Sequence, residues 1–272
     1  MLKRENNLKG AKDRVVIMYQ EFAKIYDEFM QTVPYTTWAD YIETIWNKHG
    51  CKPKLVFDLA CGTGSLTMEL SKRGYEMIGV DLSPEMLEIA REKAEEEQQD
   101  ILYLLQDMRE FELYGTVDSI VCTCDSLNYL LEEEELEQVF KLAENYLDPK
   151  GLFIFDMNTE YKYKDIMGEQ VIADTTEDAA FIWQNYFYEE EKVNEYQVTF
   201  FYKEEENETV YQRREEIHYQ KAYDMSRVCE LLEQCHLKVE GIYDAFSLEP
   251  ATEESERVFF VAREQRKEKE DE

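Results

Sequence analysis

Leu55-Val56-Phe57-Asp58-Leu59-Ala60-Cys61-Gly62-Thr63-Gly64 is an apolar run that meets an acid and then a small turn with two spaced glycines. Ser65-Leu66-Thr67-Met68-Glu69-Leu70 follows with apolar residues at helical spacing. A strand of a parallel sheet, buried on both faces, reads as a short continuous apolar stretch. A Gly-x-Gly turn at the mouth of a helix lets a ligand approach the backbone, so the segment predicts strand, nucleotide-type cofactor loop and helix. The fold class this implies is α/β with a parallel sheet.

Two residues separate the possible cofactors. A dinucleotide fingerprint needs a third small residue three positions after the second glycine, and Thr67 stands there. Asp58 at the strand end would repel a pyrophosphate but suits a cofactor that carries an ammonium or sulfonium. Because Gly-x-Gly turns also occur where nothing binds, the following segments decide. A second apolar strand, Met77-Ile78-Gly79-Val80, runs into Asp81 about twenty residues past the loop, where an acid can accept both ribose hydroxyls. Leu82 follows, then Ser83 as N-cap and Pro84 at the first helical position, which brings Met86 to the adenine side. A third strand, Ile101 to Leu105, leads to Asp107 and Met108, and a fourth, Val117 to Cys122, leads to Cys124, Asn128 and Tyr129. Asp58, Asp81 and Asp107 thus form a row along the carboxyl edge of a sheet, where open α/β sheets bind ligands.

From Phe22 to Ala262 this chain resembles the class I S-adenosylmethionine-dependent methyltransferases. Asp58-x-Ala60-x-Gly62-x-Gly64 corresponds to their Asp-x-Gly-x-Gly-x-Gly loop, with Ala60 in the place of a glycine. The likeness is greatest to small bacterial enzymes that act on small molecules, including aminosugar N-methyltransferases. It implies a Rossmann-like, mostly parallel seven-stranded sheet with an antiparallel C-terminal hairpin, a helical lid before it and an inserted antiparallel β cap. It also implies that S-adenosyl-L-methionine is the cofactor, with Asp107 against the adenine amino group and Cys124 among the cofactor contacts. Tyr26, followed by Tyr35, resembles the lid aromatics, and Asn128 and Tyr129 fall where acceptor contacts are expected. In similar aminosugar enzymes a histidine can occupy the place of Tyr129. Tyr129, Asn128 and Tyr26 are the candidate catalytic residues. A second reading is a non-catalytic protein that binds S-adenosylmethionine or S-adenosylhomocysteine as a partner or regulator.

The expected organisation is a helical lid over 1–50, a cofactor-binding core over 51–158, an inserted β cap over 159–221, the rest of the core sheet over 222–264 and a charged tail over 265–272. Within the lid, Val15 to Met30 and Trp38 to Trp46 have helical periodicity, separated by a turn at Pro34. Helix Glu134 to Tyr146 and a turn at Asp148-Pro149-Lys150-Gly151 precede a fifth strand, Leu152 to Asp156. From Ala180 to Tyr219 aromatic and β-branched residues alternate with polar ones, as in half-exposed antiparallel strands. Such an insertion is too long for a structureless loop. Helix Asp224 to Cys235 and strands Val239 to Phe246 and Arg257 to Ala262 complete the core. His218 in the cap is the other candidate for a polar group near the methyl, although a lone histidine on a strand beside Arg213 and Arg214 is more often a surface residue.

The 61 acidic and 30 basic residues give a formal net charge of −31. That field repels polyanions and no basic stretch relieves it, so nucleic acid is not an expected partner. The expected partner is a small-molecule methyl acceptor. Runs such as Glu132-Glu133-Glu134-Glu135 read as solvated helix starts. No Cys-x-x-Cys pair occurs among the six cysteines, so no metal site is expected, and Cys122 and Cys124 should share one face of the fourth strand. No apolar stretch approaches the roughly 20 residues of a membrane span. The first residues, Met1-Leu2-Lys3-Arg4-Glu5-Asn6, lack a signal-peptide core. The expectation is a cytoplasmic monomer or homodimer.

Overall fold

A computed structural model describes residues 34–176, 179–203 and 210–266. The predicted helix from Val15 to Met30, with Tyr26, lies outside them. Helix α1, Tyr35–Lys48, leads to strand β1, Leu55–Leu59, and the Gly62 turn leads into α2, Ser65–Lys72. β2, Glu76–Asp81, α3, Pro84–Glu96, β3, Ile101–Leu105, and β4, Val117–Cys122, continue the alternation. α4, Glu133–Tyr146, and β5, Leu147–Asn158, follow. After the inserted sheet come α5, Met225–Gln234, β10, Leu237–Asp244, and β11, Arg257–Glu264.

The seven strands lie in the order β10-β11-β5-β4-β1-β2-β3. Pairings from β3 through to β5 are parallel, whereas β11 is antiparallel to both β5 and β10. Strand order reverses between β1 and β4, which opens a crevice at their carboxyl ends. Period-two alternation divides the core cleanly. Phe153, Phe155 and Met157 of β5, with Val258, Phe260 and Ala262 of β11, pack against α4 and α5. Leu152, Ile154, Phe259 and Val261 face the other way, against Trp38, Ile42 and Ile45 of α1 and Leu66 and Leu70 of α2. The Trp46 indole fastens α1 to the sheet by donating to Ser119 Oγ at 2.9 Å, which in turn donates to the Leu152 carbonyl.

Local chemistry sets the helix starts. Ser83 accepts from the Met86 amide and Pro84 sits at the first helical position of α3. The run of glutamates before α4 starts that helix: Glu132 and Glu135 form a capping box, and the acids of the first turn complement the helix dipole. The expected turn at 148–151 is instead a wide bulge inside β5. Val117 pairs with Leu147 and Ser119 with Leu152, so the intervening residues are looped out. Gly151 is required there, since a Cβ would sit 2.9 Å from the Asp118 carbonyl oxygen.

The inserted segment forms its own antiparallel sheet, β6-β7-β8-β9. Its strands are β6, Val171–Thr175, β7, Ala179–Tyr188, β8, Val193–Tyr202, and β9, Gln212–Lys221. β6 has no sequence signal, because all five of its residues are exposed and an exposed edge strand carries no apolar alternation. A π-helical turn, Lys162–Met167, was equally unforeseen; its Tyr163 and Met167 join Tyr196, Val198, Phe200 and Tyr202 in the core under this sheet.

Candidate active site

One cavity of about 690 Å³ runs along the carboxyl edge of the large sheet and continues beneath the small one. Its first half is built by the β1 loop. Ala60, Gly62 and Gly64 all have left-handed backbone, with φ of 61°, 54° and 72°. Gly64 also lacks room for a side chain: a Cβ would lie 2.4 Å from the Tyr103 hydroxyl. At Gly62 a Cβ would meet nothing within 4 Å, so there the demand is for backbone conformation. The Gly62 amide donates to Asp81 Oδ2 at 2.8 Å and the Ser83 amide to Asp81 Oδ1 at 2.9 Å. Asp81 therefore ties the loop after β1 to the start of α3. Burial pushes its carboxyl above the usual range against the pull of those amides.

Asp58 is only 1% exposed and its Oδ2 accepts from the Thr67 hydroxyl at 2.5 Å. Burial raises its carboxyl to about 7, the Thr67 hydrogen bond opposes this and the nearby Asp81 adds to it. Thr67, the residue that breaks the dinucleotide pattern, is thus the hydrogen-bond donor for the first acid. Asp107 is gripped by Arg109, whose Nη2 lies 2.6 Å from Oδ2 and whose backbone amide lies 2.8 Å from Oδ1. Burial would raise the Asp107 carboxyl, but Arg109 outweighs it and the net direction is down. Arg109 Nη1 continues to Glu135 at 2.8 Å.

The second half of the cavity is framed by a buried ion cluster. Cys124 and Asp125 leave β4 with φ of 59° and 52°, a conformation that non-glycine residues adopt at a cost and that concentrates at functional sites. Arg257, the first residue of β11, donates Nη2 to Asp125 Oδ1 at 2.6 Å and Nη1 to Asp156 Oδ2. The Asp125 amide donates to Asp156 Oδ2 at 3.0 Å, and Gln220 of β9 donates to Asp125 Oδ2 at 2.6 Å. Ends of β4, β5 and β11 and a strand of the small sheet are so held at one point. Lys162 donates to Asn158 Oδ1 at 2.9 Å, and burial lowers its ammonium below the usual range. Phe181, Trp183, Tyr196 and Phe200 supply the apolar roof.

Comparison with known proteins agrees with this architecture. The family described as "Methyltransferase domain" matches residues 56–151. "Putative methyltransferase YqeM" of Bacillus subtilis is 35% identical over 247 residues, covering 90% of this chain and 97% of that protein. A solved S-adenosylmethionine-dependent methyltransferase from Clostridium acetobutylicum is 29% identical with a TM-score of 0.80, covering 90% of this chain and 98% of the other. The chain belongs to the S-adenosylmethionine-dependent methyltransferase family. A further relative, the dTDP-3-amino-3,6-dideoxy-alpha-D-glucopyranose N,N-dimethyltransferase of Streptomyces fradiae, is 27% identical over 138 residues, half of this chain and 52% of that one.

Ten residues singled out from the methyltransferase's sequence line the cavity: Asp58, Ala60, Gly62, Asp81, Leu82, Met86, Asp107, Met108, Cys124 and Tyr129. Gly64 caps α2 just behind the loop. Asn128 does not line the cavity. Its side-chain amide donates to the carbonyls of Asn158 and Lys221 and its Oδ1 accepts from the Asn158 amide, so it knits β5 to β9 and is corrected from a catalytic to a structural residue. Tyr26 lies outside the described residues; Tyr35, the first residue of α1, lines the cavity. Cys122 and Cys124 do not share a face. Cys122 packs with the α4 and α5 side and Cys124 with the α1 side, because the left-handed residue at 124 ends the strand alternation. His218 is no surface residue either, being 5% exposed and part of the cavity wall. Arg109, Lys162 and Arg257 were missed.

Two acids at adjacent strand ends and a loop whose Gly62 leaves its backbone open to the cavity suit a cofactor with a ribose and a cationic tail, so the residues present fit S-adenosylmethionine. Among the described residues no helix is long and apolar enough to cross a membrane.

Proposed function

We propose that this methyltransferase methylates a nitrogen or oxygen of a small molecule held beneath the four-stranded sheet. The observation that carries this reading is the continuity of one cavity from the three acids to the aromatic underside of the inserted sheet. The Streptomyces fradiae relative, named for N-methylation of an aminosugar nucleotide, supports an acceptor of that size. A formal charge of −31 disfavours polyanionic nucleic acid.

When bound, S-adenosylmethionine supplies an electrophilic methyl on a sulfonium. On this reading Asp81 holds the ribose hydroxyls, Met86 and Leu82 flank the adenine, and Asp107 and Met108 border its far edge. Asp58 and the Ala60 to Gly64 backbone receive the amino-acid tail. Attack on a methyl is an in-line displacement, so orientation and exclusion of water by the apolar roof supply much of the rate. S-adenosylmethionine and S-adenosylhomocysteine should raise the melting temperature while NAD does not, because a ligand of the folded state alone stabilises it by mass action. An equal shift with NAD would refute the assignment of the loop. Labelled methyl transfer into a metabolite pool then identifies the acceptor.

Asp58 makes binding pH-dependent. Its carboxyl is near its midpoint at pH 7 in the free protein. A cationic tail beside it favours the carboxylate, so binding releases a proton and weakens as pH falls below 7. Calorimetry in buffers of different ionisation enthalpy should show that release, and Asp58→Asn should remove it. The same upward shift means that burial of Asp58 takes stability away as pH rises from about 4 toward 7.

A further inference from the structure

Strand alternation places Glu216, His218 and Gln220 on one face of β9, and His218 and Gln220 reach the cavity. His218 Nε2 lies 3.0 Å from Glu216 Oε2, and its Nδ1 lies 3.4 Å from the Tyr129 hydroxyl. The Tyr129 and His218 rings meet edge to face with centroids 6.0 Å apart. An ionised carboxylate only accepts, so Glu216 holds the proton of a neutral imidazole on Nε2 and leaves Nδ1 as an acceptor. The Tyr129 hydroxyl then donates to Nδ1, and its oxygen keeps lone pairs for a group in the cavity.

We propose that Tyr129, His218 and Glu216 form a proton-accepting relay that opens on the acceptor half of the cavity, and that the acceptor presents an N–H or O–H to Tyr129. This rests on the methyl-transfer reading above. In the reaction the acceptor's lone pair forms the new bond to the methyl carbon, and the carbon–sulfur bond breaks with its electron pair left on sulfur. The acceptor's proton passes to Tyr129 Oη while the Tyr129 proton moves to His218 Nδ1. Positive charge lost from sulfur reappears on an imidazolium that faces Glu216, and the proton leaves to water once the products depart. Tyr129 is the catalytic residue of the set; His218 acts through it and Glu216 orients His218. Among the described residues, the imidazole is faced by Glu216 on its own strand, Tyr129 on the turn after β4 and Tyr196 directly opposite on β8.

Nitrogen-15 NMR of the full chain without cofactor tests the relay independently of methyl transfer, with the His218 signals assigned by their loss in His218→Gln. The expected result is a neutral Nε2–H tautomer whose Nδ1 resonance moves in Tyr129→Phe. An Nδ1–H tautomer, or an Nδ1 signal indifferent to Tyr129→Phe, overturns the relay even if methyl transfer is confirmed. With the acceptor from the labelling screen, Tyr129→Phe and His218→Gln should each lower kcat by about a hundredfold, the scale of a lost general base, with cofactor affinity unchanged. Glu216→Gln should let the Nδ1–H tautomer of His218 appear in the nitrogen-15 spectra, because a side-chain amide can donate as well as accept and no longer fixes the proton on Nε2. Formation of a methylated amine or a methyl ether distinguishes the two acceptor types. Unchanged kcat in Tyr129→Phe, or an acceptor atom that carries no proton, refutes the proposal.

Discussion

Arg257→Met is expected to destabilise the folded protein by about 3–5 kcal/mol, the range seen when one partner is removed from a buried ion pair. The guanidinium bridges Asp125 and Asp156, and Asp156 is wholly buried, its Oδ1 without a hydrogen-bond partner among the described residues. Methionine fills a similar volume, so the dominant loss is the stranding of two carboxylates rather than a cavity. Burial already lifts the Asp156 carboxyl to about 6 despite Arg257. Removing the cation lifts it further. An acid whose folded pKa exceeds its unfolded value costs stability as pH rises through that interval, so the variant's deficit should shrink in mild acid. Urea denaturation at neutral and mildly acidic pH measures both effects. A loss under about 1 kcal/mol at neutral pH would place the cluster in the class of solvent-screened surface pairs and remove its role as the keystone of the cavity.

That cluster also shows where sequence reading stops. β1 was legible because a buried parallel strand is a continuous apolar run, and β2 because its run ends at Asp81. Loop and acids are local patterns of a few residues each, so they were readable as well. Arg257 and Asp125 are 132 residues apart and meet only because β11 inserts antiparallel beside β5. No local spacing announces such a pair. His218 misled for a related reason: on its own strand it stands near Arg213 and Arg214, which are exposed, yet β9 passes from an outer edge to the cavity wall within a few residues. Asn128 was right in location and wrong in direction. A residue just past a strand end can face the ligand or the chain beneath it, and the carbonyls of Asn158 and Lys221 claim this one.

For the cofactor half the largest expected effect belongs to Asp81. Asp81→Ala should cost on the order of 2–4 kcal/mol of S-adenosylmethionine binding, as for loss of a charged hydrogen-bond partner. A carboxylate offers about four acceptor positions. The Gly62 and Ser83 amides use one on each oxygen and the Leu82 amide also donates to the group, so the ribose hydroxyls would take what acceptor capacity remains. Alanine therefore removes two things at once, the ribose acceptors and the tie that holds the loop. Asp81→Asn separates them. Its single carbonyl oxygen can keep one backbone amide and one hydroxyl, so its loss should fall between wild type and alanine, with the melting temperature of the free protein closer to wild type. Calorimetric titration of both variants reads the binding term and thermal unfolding without ligand reads the loop term. If both variants bind like wild type, the ribose is held elsewhere and Asp81 serves the loop alone. If alanine weakens binding only as far as it lowers the free protein's stability, the tie rather than the acceptor accounts for the effect.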